Sequence, residues 1–150
     1  METQETPEID EQQAEEHGVA IYSKLAILLF SIIFDPIIGG ILLMLNLRSI
    51  GYKKEGNTVL LFSIAYYLAS NFLISYIANA LHVPLTMEAL LKNPKIIVTL
   101  LVLKIIGGGI LGEYFFKKHF PHDDYEHKSI WKALLITILV LIPLSMLIKL

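Results

Sequence analysis

Cysteine is missing from all 150 positions, so the chain has no disulfides and no thiolate metal site. Charge is scarce as well. Asp, Glu, Lys and Arg make up 17% of the residues against 55% hydrophobic ones, and the mean hydropathy is +0.61. An ordinary soluble domain carries about 25% charged residues, which is more than this chain supplies. The first 18 residues have no Lys or Arg but hold seven of the fourteen acids. The formal net charge of -2 therefore averages an acidic tail with basic loops and gives no footprint for a nucleic-acid partner. The same acidic start is the opposite of the basic n-region of a secretory signal peptide.

What is present is a series of apolar runs, at residues 24–47, 58–80, 95–116 and 129–150. Each is about 20 residues or longer, the length needed to cross a ~30 Å hydrocarbon core. The expected fold is all-α: a transmembrane bundle of four helices over residues 19–150, behind an acidic, disordered tail at 1–18. The first run would reach about 36 Å at 1.5 Å per residue. Asp35-Pro36 falls at its centre, where Pro removes a backbone hydrogen bond, so a kinked first helix is expected. Two half-helices forming a re-entrant loop are the alternative, which needs protein or water around the freed backbone groups. Gly39 and Gly40 in the first run, and the GxxxG pair Gly108 and Gly112 in the third, mark surfaces for close helix packing. The segment around residues 84–93 has the pattern of a short interfacial helix.

Three groups of residues carry candidate chemistry. Asp35 and Lys104 are ionisable residues near the middles of the first and third runs, and intramembrane charges face a partner or a cavity. They are expected to meet, as a pair that fixes helix register or as part of an ion or proton relay. The second run carries Ser63, Tyr67, Ser70, Asn71, Ser75 and Asn79 at intervals of three and four, a polar face to be turned toward other helices. The third group, His119, His122, Asp123, Asp124, Glu126 and His127, offers nitrogen and oxygen donors of the kind that bind zinc, but without diagnostic spacing. No glycine-rich phosphate loop follows a strand and no nucleophile stands near a base, so no enzymatic activity and no cofactor are expected.

Short basic loops mark the cytoplasmic side. Loops 48–57 and 117–128 hold Arg48, Lys53, Lys54, Lys117, Lys118 and Lys128, with Lys132 at the edge; Lys24, Lys92, Lys95 and Lys149 fall on the other side of a four-span bundle. This places both loops in the cytoplasm and both termini outside.

Pro36, Gly39, Gly40, Asn46, Leu47, Arg48, Ile50 and Gly51 form a Pro-x-x-Gly-Gly…Asn-Leu-Arg-x-Ile-Gly pattern. It resembles the first hairpin of a set of small bacterial multi-span membrane proteins with no assigned activity, and Ser129-Ile-Trp-Lys-Ala133 is similar to a later stretch of theirs. The resemblance implies a protein of the bacterial cytoplasmic (inner) membrane. Asp35 stands where that group has a small residue, so the resemblance implies no role for it. The expected function is non-enzymatic: helix packing with a second copy or a membrane partner. The rivals are an oligomeric ion or proton channel or small transporter using Asp35 and Lys104, and a metal-binding accessory protein using the loop histidines.

Overall fold

The computed structural model describes residues 19–84, 86–121 and 125–148. The expected acidic tail lies outside them. The described chain is all-helical: α1 (Lys24–Ile33), α2 (Pro36–Ser49), α3 (Lys53–Ala80), α4 (Met87–Lys92), α5 (Pro94–His119) and α6 (Ile130–Ile148). The interfacial helix expected after residue 84 is α4, whose Ala89 amide donates to Thr86 Oγ1 at 3.3 Å.

The first apolar run is not one kinked helix. It breaks at Phe34 and Asp35, and α2 folds back along α1. Asp35 is extended (φ -167°, ψ 153°) and Pro36 takes the first position of α2, where its missing N–H costs nothing. The return path is fixed by contacts impossible in a continuous helix. Asn46 Nδ2 donates to the Tyr22 carbonyl and the Tyr22 amide donates to Asn46 Oδ1, each at 2.8 Å. A Cβ on Gly39 would fall 2.8 Å from the Ile27 carbonyl oxygen and into the Ser31 hydroxyl. Each arm is too short to cross a bilayer: ten and fourteen residues reach about 15 and 21 Å. The four-span reading is corrected accordingly at its first span.

Among the described residues two helices, α3 and α5, are long and apolar enough to cross a membrane, so a bundle of four spans is not confirmed. At 28 and 26 residues they reach about 42 and 39 Å. Only 17% and 28% of their apolar windows is buried within the chain. A core helix of a soluble domain would bury most of that surface; here it faces outward.

The fold-back lies between these long helices. Gly40 meets Ser63 and Gly56 meets Met44, which sets α2 antiparallel to α3. Gly108 meets Ser31 and Leu28, and Gly112 meets Lys24, which sets α5 antiparallel to α1. Ile27, Leu43, Leu47, Val59 and Leu111 fill the space between them and are fully buried. The other halves of α3 and α5 pack on each other through Ile74, Ala78 and Ile96.

Two local features follow from sequence. The Gly107-Gly108-Gly109 run does not break α5; the helix continues and widens into a π-helical segment over Ile110–Phe116. At the end of α3, His82 adopts φ 54°, with His82 N–H on Asn79 O and Val83 N–H on Ala78 O, a Schellman closure without its usual glycine.

One end of the molecule gathers the basic loops. The Ile21 amide donates to Glu126 O and the Lys128 amide to Ile21 O, at 2.9 and 2.8 Å, and the Tyr52 and His119 rings lie 5.8 Å apart. Residue 21 therefore sits at the end carrying loops 48–57 and 117–128, not opposite them as a four-span count requires. Lys24 moves to that end too, where it pairs with Glu113.

Candidate functional site at the helix break

A helix interrupted in apolar surroundings leaves carbonyls free at one end and amides at the other. Here each end is met by a charged side chain of the matching sign. Asp35 caps α2, accepting the Ile37 amide on Oδ1 at 3.2 Å, where the helix dipole is positive. Lys104 reaches from α5 to the C-terminal end of α1 and donates to the Phe34 carbonyl at 2.5 Å. The two side chains are both partly buried and line one cavity, but they do not close into a direct ion pair.

The depth of this site follows from register. A Cβ on Gly107 would meet Pro36 Cγ at 2.8 Å and Tyr66 Cε1 at 2.7 Å. Tyr66 and Gly107 are each at the midpoint of their long helix, α3 and α5. The tip of the fold-back is thus held halfway along the two helices able to cross a membrane.

The cavity at the tip has a volume of about 60 Å³. That is room for a few water-sized species, since one water needs roughly 10–15 Å³ of such volume. Its polar lining is Asp35, Tyr66, Tyr67, Ser70, Asn71 and Lys104, closed by Pro36, Ile74, Leu100 and Leu103. Tyr66 was not singled out in the sequence, yet its hydroxyl donates to the Leu103 carbonyl at 2.7 Å and so ties α3 to α5 beside the cavity. Its aromatic body hides it in an apolar run; spacing of one residue from Tyr67 is the only signal.

The polar face of α3 divides. Ser63 is fully buried against Gly40 and donates to Val59 O at 2.9 Å. Tyr67, Ser70 and Asn71 face the cavity, with Asn71 Nδ2 donating to Tyr67 O at 2.8 Å. Ser75 and Asn79 continue the stripe toward the end opposite the basic loops, and Asn71, Ser75 and Asn79 are exposed. Ser75 and Asn79 line an open groove of about 570 Å³ with Phe72, Tyr76, Val83 and Pro84.

The packing glycines Gly39, Gly40, Gly108 and Gly112 all face helices of this same chain. Of the proposed metal donors, His122 and Asp123 lie outside the described residues, as does Asp124. His119 holds the Phe115 carbonyl through Nδ1 at 2.9 Å, and His127 sits at the bridge to Ile21 with its ring 5.2 Å from that of Tyr125. Among the described residues no group of three or more metal donors forms. Glu113 was not foreseen: it pairs with both Lys24 and Lys117, and its i,i+4 spacing to Lys117 is the signal for it. Compared with known proteins, the chain matches no family model, no curated protein and no solved structure.

Proposed function

We propose that this chain is an integral protein of a bacterial cytoplasmic membrane that holds a proton or a small cation at mid-depth, at the tip of a re-entrant helical hairpin, as part of an oligomeric channel or small transporter. In this reading α3, α5 and α6 cross the bilayer and the α1–α2 hairpin enters and leaves on one side. The basic end, now with Lys24 beside Arg48, Lys53, Lys54, Lys117, Lys118 and Lys128, faces the cytoplasm.

One observation carries the reading: the break between α1 and α2 leaves Asp35 and Lys104 lining one cavity at the midpoint of both long helices. Irregular backbone at membrane depth is tolerated where it is buried in protein or lines a water-filled space. Ionisable residues there mark ion pathways and proton relays. The exposed stripe of Asn71, Ser75 and Asn79 leads from the cavity toward the opposite face. Polar groups turned to lipid are costly, so a second copy is the natural cover and would complete a hydrated path.

Proton, sodium and potassium flux into proteoliposomes tests this with wild type and Asp35→Asn. Flux in the wild type and its loss in the variant are expected. No flux in either protein would leave Asp35 a helix cap and nothing more. The second reading, a packing protein acting on a membrane partner, is favoured by the aromatic groove of Phe72 and Tyr76 beside that stripe. It predicts co-purification of a partner that Tyr76→Ala abolishes.

A further inference from the structure

A second cavity, of about 340 Å³, opens at the basic end between the start of α1 and the end of α5, lined by Lys24, Phe116, Lys117, Phe120 and Pro121. Its two ammonium groups, half-buried at Lys24 and exposed at Lys117, share one carboxylate partner. Gly112 leaves room for the stem of Lys24 to lie across α5, with Lys24 Cγ 3.3 Å from where a Cβ would be. Glu113 then pairs with Lys24 through one carboxylate oxygen and with Lys117 through the other. Each ammonium has three donors, so both keep donors free for a second acceptor. Phe116, buried, and Phe120 stack at 4.9 Å between centroids and form an apolar wall.

Register gives the depth. Lys117 is ten residues beyond Gly107, which touches Pro36 at the tip, about 15 Å along α5 at 1.5 Å per residue. With the tip at mid-membrane, that reaches the edge of the hydrocarbon core, ~15 Å from its centre, where the headgroups begin. We infer that this cavity is a binding site for the phosphate of an anionic phospholipid, with Lys24 and Lys117 on the phosphate and the Phe116–Phe120 wall against the glycerol and upper acyl chain. Basic pockets between membrane helices on the cytoplasmic side suit such headgroups. The depth assignment rests on the membrane reading above; the binding itself does not require flux.

The test uses the full chain in a non-ionic detergent and native mass spectrometry with three probes: dioctanoyl-phosphatidylglycerol, dioctanoyl-phosphatidylcholine and inorganic phosphate. Saturable binding of phosphatidylglycerol is expected, with at least tenfold weaker binding of the other two. Lys24→Gln with Lys117→Gln should weaken phosphatidylglycerol binding about 30-fold, on ~1 kcal/mol per lysine. Lys53→Gln with Lys54→Gln removes the same charge from the same end outside the cavity and should leave binding within about threefold. Gly112→Val, which displaces the Lys24 stem, should weaken it as well. Equal losses in the two lysine pairs would make the attraction a diffuse surface effect and overturn the site. Inorganic phosphate binding as tightly as the lipid would overturn the lipid assignment. Asp35→Asn should bind phosphatidylglycerol as wild type does, so a failed flux experiment and a failed lipid site are read separately.

Discussion

Replacing Asn46 with Leu tests the fold-back on which the site at the helix break depends. Asn46 is 2% exposed, and its side chain satisfies both the amide and the carbonyl of Tyr22, itself buried. Leu fills a similar volume but offers neither donor nor acceptor. Each orphaned buried group costs roughly 1–3 kcal/mol, so the pair costs about 2–6 kcal/mol. Burying the Leu side chain returns about 1.5–3 kcal/mol where it fits. The mid-range values leave a net loss of about 2 kcal/mol, read as a lower midpoint of denaturant unfolding in detergent. Asn46→Asp should be no better, because it removes the donor and sets a carboxylate oxygen against the Tyr22 carbonyl.

Geometry can be read in the same experiment, because the chain has no native cysteine to interfere with labelling. Leu25 and Leu45 are exposed, at 62% and 43%, and tolerate Cys and a spin label. Along a continuous helix they would be about 30 Å apart. In neighbouring antiparallel helices, with axes about 8–10 Å apart, the labels fall well below that distance. A short, narrow distribution is expected in the wild type, broadening in Asn46→Leu. A wild-type distance near 30 Å would refute the fold-back and everything placed at its tip.

Two further substitutions read the packing at that tip. Gly107→Ala should lower the unfolding midpoint by about 1–3 kcal/mol, because the new methyl meets the rigid Pro36 ring and Tyr66. Gly109→Ala, with nothing within 4 Å, should stabilise by about 0.5–1 kcal/mol through helix propensity alone, so opposite signs two residues apart are the diagnostic. Lys104→Met keeps the apolar stem but leaves the Phe34 carbonyl without its donor; a loss of about 1–3 kcal/mol is expected in thermal unfolding, largely restored by Lys104→Arg.

Much of the fold was legible in the sequence because long apolar helices announce themselves by length and hydropathy. α3, α5, α6 and the short α4 lie close to where their residues suggested. The first run misled because composition cannot distinguish a kinked span from two half-helices. Asp35-Pro36 is compatible with both, since Pro suits the first turn of a new helix as readily as it bends an old one. What decides is tertiary: Asn46 finding Tyr22 24 residues away, and Gly39 and Gly40 letting α2 pass closely by α1 and α3. The short pattern from Pro36 to Gly51 is in effect the specification of that return. Pro36 starts α2, the glycines admit Ser31 and Ser63, Asn46 clasps Tyr22, Arg48 donates to Asn57 at 2.7 Å, and Gly51 turns the chain with φ +88°. Tyr66 escaped notice because it acts on Leu103, 37 residues away, and Glu113 because its local pair with Lys117 is ordinary until Lys24 joins it from α1.

The chemistry of the break argues that charge itself matters at the tip. Satisfying the first amides of α2 requires only an acceptor, and Asn or Ser caps a helix about as well as Asp. A partly buried carboxylate adds a desolvation cost that a neutral cap avoids, and its attraction to a nearby ammonium does not reliably repay it. A protein selected only to close the hairpin has no need of Asp35. Asp35→Asn therefore separates the two roles. It retains an acceptor for the Ile37 amide, so the unfolding midpoint should stay within about 1 kcal/mol of wild type. Among the described residues it removes the only acidic group lining the cavity. A variant that folds as wild type yet carries no ion would assign the charge to conduction. A variant that unfolds would make the carboxylate a structural group, with Lys104 as its counterweight, and would remove the reason to look for flux.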